Sequence, residues 1–233
     1  DDIAVGERLL RQLMVLNDDP RLVIVGSNAV HTTKNMRPLY PTFLPENDWD
    51  IRCACLIMNP FVHSSVMIRA SVLKRENIQY DTSFPLTQDW DIWVKILRLG
   101  NARNLRECLV KLRTHECSVS KSLSQKQMIH GLRVQESYVK QMLGECAWDR
   151  RQYQDLYLGF LGTPTINEHA GIDSIASCHH ALDIVNRITK VYPEKNNQWL
   201  LSFVLGRCIW AWTLLLGKRQ WGSLSKRLVR EFL

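Results

Sequence analysis

The strongest constraint on what this chain can become is a change of periodicity near residue 121. Upstream, short apolar runs alternate with helical stretches; downstream, every apolar stretch follows a helical period. Val23-Ile24-Val25 lies between Pro20 and Gly26. A β-branched run this short, punctuated on both sides, predicts a buried strand over 21–30. Residues 61–69 and 108–112 predict two further strands. Between them fall an amphipathic helix over 7–17, with Leu9, Leu10, Leu13 and Leu16 on one face, and a short helix over 70–77. A stronger helix is predicted from Gln88 to about Leu99, with Trp90, Trp93, Val94, Ile96 and Leu97 as its apolar residues and Gly100 closing it. Residues 31–48 hold Pro38, Pro41 and Pro45 with little periodicity and predict a loop. Beyond Ser120 helices are predicted over 122–147, 149–161, 168–191 and 196–216. The chain therefore reads as an α/β region with a mixed sheet over 1–121, followed by an all-helical region over 122–233.

Apolar residues make up 45% and charged residues 23%, a globular rather than a disordered balance. The net charge of +7 suits partners that carry phosphate, although a lysine- and arginine-rich surface explains it equally well. No nucleic-acid motif accompanies that charge, so nucleic acid is not expected as a partner. The seven cysteines are odd in number and widely spaced, which points to reduced thiols and a cytoplasmic protein. Cys53 and Cys55 lack zinc-knuckle spacing and read as alternating faces of a short element. Asp1-Asp2 opens the chain with acid where a targeting segment would be basic and then apolar.

Three segments carry chemistry: Asn59-Pro60-Phe61-Val62-His63-Ser64-Ser65-Val66-Met67-Ile68-Arg69, Gln88-Asp89-Trp90-Asp91-Ile92-Trp93, and Leu112-Arg113-Thr114-His115-Glu116-Cys117-Ser118-Val119-Ser120. Singly each has a plain explanation, since acids at a helix start usually serve its dipole and free N–H groups. In this order and spacing they resemble the second half of the bacterial family 2 glycosyltransferases, which have a GT-A (Rossmann-like) fold. Asp1-Asp2-Ile3, followed by Glu7-Arg8-Leu9 and Gln12, resembles the stretch beginning at the last acid of that family's metal-binding motif. The resemblance covers about residues 1–121. It implies that the chain begins inside the metal motif, that the donor-binding half lies upstream, and that residues 1–233 alone have little transferase activity.

The resemblance further implies transfer of a sugar from a nucleotide-diphosphate donor to an acceptor hydroxyl with inversion, in cell-surface polysaccharide or glycolipid synthesis. Asp89 matches the base and Asp1 a ligand of a divalent cation, Mg²⁺ or Mn²⁺, with which oxygen donors are compatible. His115 matches a residue closing over metal and diphosphate, and Arg113 lies where a cation could face phosphate. Ser64, Gln88, Asp91 and Trp93 are expected in the donor or acceptor surroundings, with Asp91 as the rival base, and His63 reads either as a contact near the acceptor or diphosphate or as a structural histidine that bonds neighbouring loops. Two positions depart from the family's pattern. Gln88 stands where a glutamate is usual, and Gly6 replaces a proline. Residues 199–216 are nearly long enough to span a bilayer but carry Arg207. With Trp221 and the basic residues 218–230, they suggest peripheral contact with the inner face of a membrane, where a lipid-linked acceptor would lie. A non-catalytic scaffold with a basic, membrane- or partner-binding tail stays open as the alternative.

Overall fold

A computed structural model describes residues 2–114, 125–144, 148–149, 151–154 and 174–216. The chain divides into two compact units, 1–145 and 146–233. The first is built on a five-stranded mixed sheet. In spatial order it runs β1 (Ile3–Ala4), β5 (Asn101–Arg113), β2 (Leu22–Thr32) and β3 (Pro38–Pro41), and β4 (Met67–Ile68) also pairs with β2. The long β2–β5 pair is parallel, and the three short strands join it antiparallel. Residues 22–29 of β2 are all buried. Successive strand residues point to opposite faces, so β2 is covered on both.

The predicted strand over 21–30 is present and extends to Thr32, whereas the strand predicted over 108–112 is the end of a thirteen-residue β5. The stretch 61–69 is not one strand. Val62 is followed by a 3-10 turn, His63–Ser65, and only Met67–Ile68 pairs with the sheet. Ser65 explains the break, because its hydroxyl donates to Val62 O at 2.8 Å and accepts from Ser27 N–H at 3.1 Å. The predicted loop over 31–48 contains β3, an edge strand with proline at each end, as such strands tolerate.

Helix α1 (Arg8–Asp18) precedes β2. The crossover from β2 to β5 runs through α2 (Asp48–Cys55), α3 (Ala70–Arg75) and α4 (Gln88–Ile96). In α1 the predicted face does not go inward as a unit. Leu16 packs in a cluster with Leu22, Val25, Leu105 and Leu109, while Leu9, Leu10 and Leu13 stay 50–61% exposed. Gln12 takes the inward position beside Leu16, and its amide donates to Val25 O and Ser65 O at 2.9 and 2.6 Å. Cys53 and Cys55 both lie on α2, two positions apart and so on different faces of the helix, and both are buried, because α2 is covered on more than one side.

Two glycines permit close packing. A Cβ at Gly26 would fall 2.2 Å from Asn104 Oδ1 and 2.8 Å from Phe61, and one at Gly100 would fall 2.6 Å from Arg21 O. Buried Asn104 on β5 then ties the crossover to the sheet, its amide donating to Pro45 O at 2.8 Å and Pro60 O at 3.0 Å. Helix α5 (Gln125–Leu143) belongs to this first unit and packs against α4. Its buried Gln135 donates to Leu56 O at 3.0 Å. The last strand of the sheet ends at Arg113, and the compact unit continues to 145.

In the second unit α6 (Ser174–Val191) and α7 (Gln198–Leu216) pack together, and Ala181, Ile184 and Ile188 of the one and Leu200 and Val204 of the other are fully buried. Among the described residues no helix is long and apolar enough to cross a membrane. The basic cluster 218–230 lies outside them.

Candidate functional site

Helix α4 starts where the turn Phe84-Pro85-Leu86-Thr87 ends, with Leu86 held at φ 76°. A leucine in the left-handed region is strained, and such strain collects at sites whose surroundings enforce it. Asp89 and Asp91 both lie in the first turn of α4, where the helix dipole favours negative charge. Their surroundings differ. Asp91 is 8% exposed and its Oδ2 accepts from Lys95 Nζ, one helical turn on, at 2.6 Å. Asp89 is half-buried; its Oδ1 accepts from Trp90 N–H and its Oδ2 from Asn59 Nδ2, both at 2.8 Å.

His63 and Tyr80 complete this group. Their Nε2 and hydroxyl oxygen are 3.1 Å apart, and Tyr80 is 49% exposed. Burial first, and then the negative charge of Asp89, hold the Tyr80 phenol above its ordinary value. Trp93, on the same helix as Asp89, is buried beneath, with its ring edge-on to His63 at 5.8 Å and to Phe61 at 5.7 Å. The indole N–H of Trp93, the side-chain oxygen of Gln88 and the hydroxyl of Thr87 are buried without a protein partner. Three unmet polar atoms around one helix start call for water or a ligand. Ser64 is exposed on the 3-10 turn and joins none of these contacts.

A second group gathers at the end of the parallel pair, where β2 and β5 leave the sheet. Asp2 Oδ1 accepts from Arg113 N–H at 3.2 Å. His31 faces Leu112 across the ladder and its ring lies 4.6 Å from that of Tyr40. Burial holds the His31 imidazole below its ordinary value, and the charge of Asp2 partly offsets this. Ligands of α/β sheets collect at such strand ends. Asp1 and His115, the expected metal ligands, lie outside the described residues. Among the described residues no three His, Cys, Asp or Glu side chains converge as a metal-ion set would.

The structure therefore brings Asp89, Gln88, Trp93 and His63 together and sets Arg113 apart with Asp2. Sequence reasoning did not single out Asn59, Tyr80 or His31 as site residues. Asn59 stood inside a quoted motif, and His31 follows directly on the predicted strand, at the strand end where ligands gather. Tyr80 carried no signal, because its contact with His63 is made only when the chain folds back through β4 and α3.

No family model matches the chain. It is similar to several bacterial proteins. Over 66 residues it is 33% identical to an uncharacterized glycosyltransferase of Haemophilus influenzae, covering 28% of this chain and 20% of that protein. Over 123 residues it is 27% identical to the amylovoran biosynthesis glycosyltransferase AmsE of Erwinia amylovora, covering 52% and 45%. Over 129 residues it is 30% identical to an uncharacterized glycosyltransferase of Rickettsia felis, covering 53% and 21%. The chain spans less than half the length of these relatives. Its similarity is thus to proteins named as glycosyltransferases, over up to about half of its own length.

Proposed function

We propose that this chain carries the acceptor side of an inverting family 2 glycosyltransferase of GT-A type, with Asp89 as the general base. The observation that carries the reading is the Asp89 carboxylate, half-exposed at the start of α4 and held on both oxygens, beside the Tyr80–His63 pair. Asp91, by contrast, is already engaged by Lys95.

In the reaction Asp89 Oδ2 takes the proton of the acceptor hydroxyl as that oxygen attacks the anomeric carbon. The bond from the anomeric carbon to the diphosphate breaks, and the nucleoside diphosphate leaves with the electron pair. A divalent cation, Mg²⁺ or Mn²⁺, with Asp1 and His115 among its ligands, would neutralise the charge on that diphosphate. Arg113 adds a fixed positive charge at the same strand end. Tyr80 and His63 border the acceptor, and Trp93 supports them from below. Amylovoran biosynthesis in the name of one relative favours a polysaccharide acceptor. Peripheral contact of the helical tail with an anionic inner leaflet would bring a lipid-linked acceptor within reach.

The test is a donor screen with the full-length protein, scored by acceptor-dependent release of nucleoside diphosphate in Mg²⁺ or Mn²⁺ and in EDTA. Release from one nucleotide-diphosphate sugar, abolished by EDTA, is expected. No release from any common donor with polysaccharide or lipid-linked acceptors would favour the scaffold reading.

A further inference from the structure

We infer that Asn59 is the positioning residue for the Asp89 carboxylate, transmitting the position of the sheet to the reacting oxygen. The inference rests on Asp89 being the base. Two contacts fix the Asn59 side chain, and a third holds the residue after it. Asn59 Oδ1 accepts from Phe61 N–H at 3.2 Å, two residues on, which settles the amide orientation and turns Nδ2 outward as a donor. That Nδ2 donates to Asp89 Oδ2 at 2.8 Å. The next residue, buried Pro60, accepts through its carbonyl from Asn104 Nδ2 of β5 at 3.0 Å. The chain from β5 to Asp89 is therefore continuous: Asn104, Pro60, Asn59, carboxylate.

The consequence is geometric. Trp90 N–H alone would hold Oδ1 and leave the carboxylate free to swing about its Cβ–Cγ bond. With Asn59 on Oδ2 the plane is fixed, and one lone pair of Oδ2 stays open to receive a proton. Asn59 itself carries no charge and moves no proton. Its task is to keep a base at a helix start in register with a strand of the sheet, and a misplacement of about 1 Å can cost about 100-fold in rate.

Asn59→Asp tests this, because it is isosteric. It keeps the oxygen that accepts from Phe61 N–H, and so the turn, but sets a second carboxylate against Asp89 in place of the donor, so that like charge also raises the pKa of the pair and shifts the pH profile of kcat. Asn59→Ala removes both the oxygen and the donor and adds no charge, so its pH profile keeps the wild-type shape and its loss of rate reports positioning alone. In the full-length protein, kcat of each variant is expected to fall about 100-fold, with the donor KM and the donor Kd by calorimetry unchanged. A purely structural role would move donor affinity and melting temperature along with kcat, and that result would overturn the inference. So would Asn59→Asp turning over at the wild-type rate while Asp89→Asn is inactive. If Asp89→Asn itself turns over normally, it is the assignment of the base that fails.

Discussion

Two aspartates two positions apart on α4 have been given different work by their neighbours. Asp91 is buried against Lys95, whereas Asp89 is held by Asn59 and Trp90 with one side open. Asp91→Asn should therefore lower stability by about 1 kcal/mol, since the ion pair is partly exposed at Lys95, and should leave transfer within a few-fold of wild type. Thermal denaturation with a turnover assay checks both. Loss of transfer at normal stability would return Asp91 to candidacy as the base. Gly26→Ala is expected to destabilise by about 1–3 kcal/mol, because the new methyl meets Asn104 and Phe61. The place of Asp89 and Asp91 at a helix start was legible in the sequence. Their different neighbours were not, because Asn59 bonds Asp89 from 30 positions away along the chain.

Periodicity reports whether an element exists more faithfully than what it packs on, and α1 illustrates this. Its apolar spacing predicted the helix, yet Gln12 rather than Leu9 or Leu13 shares the inward side with Leu16. The reason is that β2 and the 3-10 turn leave carbonyls at Val25 and Ser65 that need a donor. Leu16→Ala should cost about 2–5 kcal/mol, and Leu9→Gln or Leu13→Gln about 0.5 kcal/mol or less, measured by urea denaturation. On α2, burial pushes the Cys53 thiol up to about 12 and raises Cys55 further. Folding thus favours the neutral thiol. That contribution is complete below about pH 9, the ordinary thiol range, and is lost as pH rises from there toward 12, at up to about 1.4 kcal/mol per pH unit per thiol. Cys53→Ser should flatten the alkaline limb of a stability–pH curve. An unchanged limb would show that the thiol titrates normally in the fold.

At the scale of the whole molecule, the α/β sheet followed by helices was legible because strand and helix periods separate cleanly near residue 121. The continuation of the first unit to 145 was not, since α5 has an ordinary helical pattern and only its packing on α4 assigns it. The tail poses a separate question. Vesicles containing anionic lipid should co-sediment the chain and release it in high salt, and failure to bind at low salt would remove membrane contact from the account. The base remains the centre of the proposal. Its most direct test compares wild-type and Asp89→Asn full-length protein for sugar transfer and, separately, for donor binding. The account predicts transfer reduced by about 10²- to 10⁴-fold with donor affinity unchanged. Near-normal turnover by Asp89→Asn would contradict it.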